Sequence, residues 1–427
     1  MIKKILPKST YAKNVLTLMT GTGLAQAIPI AISPILTRIY TPEEFGVFAL
    51  YMAIASILTV LVTGRYEMAI LLPKKDRDAM ILVALSIALS FFISIILLII
   101  VTAFNSQLIA IIGVPELSIW LYWVPASTFL MGVYQSLNYW SNRKSNYRRL
   151  AISRVVQSSG TGAAQLAGAF NNIGASGLVG GQLIGQTLST AVLGSLIYKE
   201  DKKYISKIKK IRILALARKY INFPKFLIVA HGFNTASGQM PTFLLSSLFN
   251  TSAAGFFMLT QRVMGAPMTL IASALGDVFR QEASYTYVNT GSCKDIYIRT
   301  FKKLLIISIL PSIVFFFIAP DLFAIVFGEQ WRVAGDYAQI LTPMYFFKFI
   351  TTPVSQVTIF AGKQRIDLLW QVVLFFMTIF SIYMGAYFSD IKLAFFLFSF
   401  LYSFMYIVSG CINFIFSKGD LDVEKFY

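Results

Sequence analysis

Apolar runs broken by short polar stretches recur along the whole chain, at about 14–39, 45–72, 79–104, 117–140, 148–170, 174–198, 221–248, 253–275, 301–327, 335–361, 366–388 and 391–416. A helix that crosses a bilayer needs roughly 20 predominantly apolar residues. The pattern therefore predicts an all-α, polytopic membrane protein of about 12 transmembrane helices. Several runs exceed 20 residues and are expected to tilt or kink. Pro29 and Pro34 are the expected bends of the first helix. The longest polar break separates six runs from six. It predicts an N-terminal six-helix bundle at 1–198, a basic cytoplasmic linker at 199–220 and a C-terminal six-helix bundle at 221–427. Each half starts and ends on the same side, so any internal repeat is parallel. Gln26, Pro29, Pro34 and then Gly46 in the first half are echoed by Gln239, Pro241 and Gly255 in the second. Chance likeness between apolar helices is the competing reading of that echo.

Composition narrows the class. The chain is 56% hydrophobic and 13% charged, and a soluble domain carries about twice that charged fraction. The net charge of +18 sits in short loops, with no soluble basic face to hold nucleic acid. Twenty-nine of the 37 Lys and Arg fall in one set of loops; Arg38, Arg332 and Lys392 are the cations of the opposite set. This asymmetry places both termini of a multi-pass membrane protein in the cytoplasm. Lys3, Lys4 and Lys8 followed by Ala25-Gln26-Ala27 imitate a secretory signal. The apolar run continues to Ile39, so it reads as a first transmembrane helix. Trp120, Tyr122, Trp123, Trp140 and Trp331 at span ends are expected to be interfacial anchors. Cys293 and Cys411 fall on the cytoplasmic side and are expected to be free thiols.

Five cations remain inside the spans: Arg65, Arg154, Lys225, Arg262 and Lys348. Charge within a bilayer is costly and marks a wet cavity or a partner. Arg262 stands about 14 Å from the outer end of its helix and Lys348 about 20 Å along its own, at 1.5 Å per residue. Both are too deep to snorkel, whereas Arg154 and Lys225 could reach the interface. For Arg262 and Lys348 the alternative to a cavity is a buried ion pair, with Glu67 as one candidate partner. Arg65 and Glu67 are two residues apart and are not expected to share a helix face. Polar stripes accompany these cations. Arg154, Ser158, Thr161, Gln165 and Gly168 lie at helical spacing, as do Tyr345, Lys348, Thr352 and Ser355. Thr22 and Gln26 mark the first helix; Gln135, Asn138 and Asn142 mark the fourth. For any single Ser or Gly the plainer reading is helix–helix packing, as for Gly177, Gly181 and Gly185. His231 could carry a proton, with Glu67, or be an ordinary polar neighbour of Asn234 and Thr235.

A net-positive cavity attracts anions, and guanidinium groups bind phosphate oxygens in pairs. No phosphate-binding Gly-rich loop, Ser/His/Asp set or paired carboxylates stand out, so an enzyme is not expected. Neither cofactor nor metal is expected, since one histidine cannot build a multi-histidine site.

Three stretches carry a family likeness: Ser33-Pro-Ile-Leu-Thr-Arg-Ile-Tyr-Thr-Pro-Glu-Glu-Phe-Gly-Val-Phe, Gly64-Arg-Tyr-Glu-Met-Ala-Ile-Leu-Leu-Pro, and Arg262-Val-Met-Gly-Ala-Pro with Gly276-Asp-Val-Phe-Arg-Gln. With its helix count and loop lengths, the chain resembles the polysaccharide transporter, or O-antigen flippase, family. That family lies within the multidrug/oligosaccharidyl-lipid/polysaccharide (MOP) superfamily. The resemblance implies two six-helix bundles working by alternating access. It implies a polyprenyl-diphosphate-linked oligosaccharide as the substrate, moved from the cytoplasmic to the outer leaflet. Other polysaccharide-assembly proteins would then be possible partners. The diphosphate would meet Arg65, Arg262 and Lys348, with Arg154 or Lys225; Gln26, Asn138 and Gln165 would line the cavity. The motifs themselves reach only Arg65 and Arg262. Two other classes stay open: a cation-coupled multidrug exporter, which should carry carboxylates in its bundle, and a membrane glycan polymerase or transferase, which needs larger outer loops.

Overall fold

The computed structural model describes residues 10–205, 210–361 and 363–419. Lys3, Lys4, Lys8, Lys207, Lys209 and Lys425 of the basic loops fall outside them. Among the described residues the chain is helical, without strands, as the apolar periodicity predicts.

The chain forms two compact units, Met1–Ser247 and Leu248–Tyr427. The first contains α1 (Thr10–Ile39), α2 (Pro42–Val62), α3 (Asp76–Ile112), α4 (Val124–Arg143), α5 (Tyr147–Phe170), α6 (Ala175–Ile205) and α7 (Lys210–Lys219). A further helix, α8 (Ile228–Leu248), closes that unit. The second unit contains α9 (Thr251–Pro267), α10 (Ser273–Thr290), α11 (Lys294–Phe327), α12 (Arg332–Thr351), α13 (Gln364–Tyr387) and α14 (Ile391–Ser417). A π-helical turn at Met268–Ala272 joins α9 to α10. Among the described residues six helices are long and apolar enough to span a membrane unaided; α4 with the bent segment before it makes a seventh. Helices α5 and α6 are diluted by Gly, Ser and Gln, several of which, such as Gln165, Gly168, Gln186 and Ser189, they bury.

Local chemistry starts and stops these helices. Thr41 caps α2 by accepting from the Glu44 backbone N–H at 3.2 Å, while the Thr41 N–H donates to the Glu44 carboxylate at 2.8 Å. Such a reciprocal cap satisfies two amides that the first turn leaves unpaired. Asn250 does a similar service for α9, accepting from Ala253 at 2.8 Å. The apolar run 45–72 is not one helix. It stops at Val62, and Gly64 and Arg65 follow in the left-handed region at φ 59° and 57°. A single helical turn, Tyr66–Ala69, comes next. Glycine enters that region freely, whereas an arginine there is strained.

In lipid, helices do not associate by hydrophobic exclusion; close van der Waals packing and interhelical hydrogen bonds hold them. The α5–α6 pair shows the packing in pure form. Gly168 meets Gly177, and Gly181 lies against Gln165. A Cβ on Gly181 would stand 2.8 Å from the Gln165 backbone nitrogen. Gly181→Val should therefore destabilise the bundle by about 1–3 kcal/mol, as overpacking does. A lower melting temperature of the detergent-solubilised protein would register it, and an unchanged melting curve would mean that the seam has slack.

The described residues of 199–220 are largely helical, in the end of α6 and in α7. Helix α7 lays Ile213, Leu216 and Ala217 on a core that includes Tyr66, Ile70, Ala79, Met80, Leu137 and Trp140. The Tyr66 hydroxyl donates to the Ala217 carbonyl at 2.9 Å. Alternation of apolar and basic residues along Lys210–Lys219 carries this docking, which the high charge of the segment hides. Two of the expected interfacial anchors are also corrected. Trp140 and Trp331 are fully buried. Trp140 donates its indole N–H to Asp201 at 3.0 Å, and Trp331 packs edge-on against Phe256. Near the same end, Asp76 accepts from Arg143 at 3.0 Å and Lys144 at 2.9 Å. The hydrogen bond to Asp76 raises the pKa of the Lys144 ammonium above its ordinary value. Both cysteines are free thiols, and burial pushes Cys293 up to about 11.

Candidate functional site

Within the first unit, residues of α2, α4, α5 and α6 surround a cavity of about 590 Å³. Its wall is built at helical spacing. Gln135, Asn138 and Asn142 come from α4, Arg154 and Gln157 from α5, and Gln182, Gln186 and Ser189 from α6. Offsets of three, four and seven residues put each set on one helix face. Tyr134 and Tyr139 add aromatic surface. Arg154 is the one charged group among the described lining residues.

Several of these side chains are held in place. The Ser127 hydroxyl donates to Gln186 Oε1 at 3.1 Å and shares a 2.5 Å hydrogen bond with the Tyr51 hydroxyl. Asn142 donates to Asn138 Oδ1 at 3.0 Å. The Tyr134 hydroxyl is 3.1 Å from Ser153 Oγ. Arg154 Nη1 donates to Thr22 Oγ1 of α1 at 2.6 Å. Gln26 follows Thr22 by one turn. The side-chain carbonyl oxygens of Gln26 and Gln135 are buried with no hydrogen-bond donor among the described residues.

A second cluster forms where α2 breaks. The left-handed turn carries Arg65 back over its own chain, and Arg65 Nη1 pairs with Glu67 Oε1 at 3.3 Å. The expectation that residues two apart cannot pair holds for a continuing helix, and the helix does not continue here. Glu67 is fully buried. Its Oε2 and Arg65 Nε lack hydrogen-bond partners among the described residues. His231 on α8 and Tyr139 on the cavity wall both lie within electrostatic range of this pair. The fold thus gathers Arg65, Glu67 and His231.

Gln26 is not among the lining residues of the cavity, and two further expected cavity residues stand elsewhere. Gln165 is buried in the α5–α6 seam, where its amide donates to the Leu178 carbonyl at 3.1 Å. Its own backbone carbonyl accepts from Tyr40 at 2.9 Å. Lys225 is exposed, in a π-helical turn at Phe223–Leu227. In the second unit, Arg262 lies on α9 and Lys348 on α12, two helices that pack together. The Lys348 ammonium sits 5.6 Å from the centre of the Tyr345 ring, a cation–π distance. Tyr345 and Phe349 wall an apolar recess of about 280 Å³ with Val263, Met264 and Phe346.

Gln157, Gln182 and Gln186 were not singled out from the sequence. The available signal was two glutamines one turn apart in an apolar run, interleaved with Gly181 and Gly185.

Comparison with known proteins fits this architecture. The family described as "Polysaccharide biosynthesis protein" matches residues 35–336. The chain belongs to that family. No curated protein sequence matches it. Among solved structures it is similar to the lipid II flippase MurJ in an inward closed conformation, with a TM-score of 0.73 at 13% identity over 94% of this chain and 90% of that one. An inward-facing multidrug resistance MATE family transporter of the MOP superfamily follows, with a TM-score of 0.64 at 12% identity over 94% and 93%. A MOP superfamily transporter from Pyrococcus furiosus gives 0.62 at 13% identity over 95% and 94%. The fold is that of this transporter superfamily, and the chain is a multi-pass membrane protein.

Proposed function

We propose that the protein is a flippase that translocates undecaprenyl-diphosphate-linked oligosaccharide repeat units, of O-antigen or capsular type, across the bacterial inner membrane by alternating access. The observation that carries this reading is the polar cavity of the first unit, lined by amides and Arg154, among helices that lie in lipid. An oligosaccharide cannot cross hydrocarbon without losing its hydrogen bonds to water, at a cost of several kcal/mol per polar group. A wall of donors and acceptors replaces those bonds. Cations at Arg262 and Lys348 offer phosphate oxygens a partner, while the prenyl tail stays in the surrounding lipid. Arg65, Glu67 and His231 are the groups to which a coupling ion would answer. The mechanism needs no bond made or broken by the protein.

A multidrug exporter of the MATE type would need carboxylates to receive cationic drugs. The lining of this cavity offers none, which favours the glycolipid. The test is reconstitution of the full-length protein into liposomes carrying a polyprenyl-diphosphate oligosaccharide in the inner leaflet. Outward movement is read by a lectin added outside. Wild type should expose the glycan, and Arg154→Ala and Arg262→Ala should each slow exposure at least about tenfold, the worth of one lost charge-assisted hydrogen bond. In cells, Arg262→Ala should abolish surface polysaccharide while the protein remains in the membrane. Normal polysaccharide in that strain would remove Arg262 from the mechanism, and liposomes that expel a cationic dye but never expose glycan would transfer the protein to the exporter class.

A further inference from the structure

Resting on the flippase reading, we infer that the cavity bounded by α2, α4, α5 and α6 recognises an uncharged sugar residue of the glycan and is not the seat of the diphosphate.

The donor set decides between the two ligands. A diphosphate presents only acceptor oxygens and calls for several cations or paired guanidinium N–H groups. The cavity offers one cation, Arg154, and that guanidinium already spends Nη1 on Thr22 at 2.6 Å. Around it stand four glutamines and two asparagines. Each primary amide carries two donors and an acceptor, the same mixture that sugar hydroxyls and acetamido groups present.

The unsatisfied atom in the wall points the same way. Gln135 Oε1 is buried and lacks a donor among the described residues. A sugar hydroxyl supplies that proton, whereas an ionised phosphate oxygen placed there would repel the carbonyl dipole. An acceptor left unmet is costly, so the site gains when a turn of the Gln135 side chain brings Oε1 to a ligand hydroxyl.

Gln186 is prepared in the complementary sense. Its Oε1 is taken by Ser127, which leaves its NH₂ group for a ligand acceptor. Tyr134 is fixed by its contact with Ser153, so its ring offers a still surface to the C–H face of a pyranose. The volume, about 590 Å³, lies within the 300–1,000 Å³ usual for small-molecule sites.

The experiment places the full-length protein in lipid nanodiscs and reads saturation-transfer NMR from soluble probes. The probes are the methyl glycosides of glucose, N-acetylglucosamine and glucuronic acid, with inorganic pyrophosphate as competitor. At least one neutral glycoside should receive saturation, and pyrophosphate at equal concentration should not displace it. Gln135→Leu and Gln182→Leu should each weaken that glycoside about tenfold, the factor that 1.4 kcal/mol makes. Gln182→Asn keeps the amide one methylene shorter; it guards against misfolding and should weaken binding less. Displacement by pyrophosphate, preference for the glucuronide, equal binding by the leucine variants, or no neutral glycoside bound would each overturn the inference. The liposome assay separates the two proposals. Glycan exposure without glycoside binding ends the sugar site and leaves the flippase, and glycoside binding without exposure does the reverse.

Discussion

Arg149→Met should lower the stability of the first unit by about 3–5 kcal/mol, because it strands a buried carboxylate. Arg149 is 5% exposed and its Nη1 donates to Asp201, itself 7% exposed, at 2.8 Å. Asp201 also accepts from the Trp140 indole at 3.0 Å. The second arm, from Arg149 to Glu200, reaches a side chain that is 50% exposed and adds little, as surface pairs do. The interior arm therefore carries the effect. Thermal unfolding followed by aggregation of the solubilised protein is the readout. Asp201→Asn, which keeps the Trp140 acceptor and drops the charge, should recover part of the loss in the Arg149→Met background. Equal melting of Arg149→Met and wild type would mean that water reaches Asp201 freely.

The second large effect is expected at the break in α2. Arg65→Leu should leave Glu67 fully buried without its 3.3 Å partner, again a cost of about 3–5 kcal/mol. The double variant Arg65→Leu/Glu67→Leu should regain most of it, since replacing both charges by apolar groups is close to neutral. What the double variant does in the liposome assay then isolates function from fold. Restored melting with lost transport assigns the pair a role in translocation, alone or with His231. Restored melting with restored transport leaves it a structural pair.

Much of this architecture was readable from the chain. The apolar runs gave the helices, because spacing of polar breaks is set by bilayer thickness alone. Where one run hid two elements, at Gly64-Arg65, the reason is that glycine is common in spanning helices and does not by itself signal a left-handed turn. Trp140 and Trp331 sit at span ends as anchors do, and only their neighbours decide that they are buried. Along the stripe from Arg154 to Gln165 the surroundings change for a geometric reason. Helix α5 faces open space at Arg154 and Gln157; farther along, Gly177 and Gly181 let α6 close onto it, and Gln165 is sealed in. One face of one helix thus changes its partner along its length, and spacing cannot report that. Asn138 was legible because its own helix repeats the pattern. Gln157, Gln182 and Gln186 become one wall only when two helices are laid side by side.

The seam of glycines between α5 and α6 separates scaffold from reader. Backbone lies almost on backbone there, so the alignment of the two helices is fixed without help from the groups that look into the opening. Such a wall can be relettered, Gln157, Gln182 and Gln186 exchanged for other side chains, with no shift in what carries them. A bundle of this kind could change the saccharide it accepts through a few point substitutions and keep its shape.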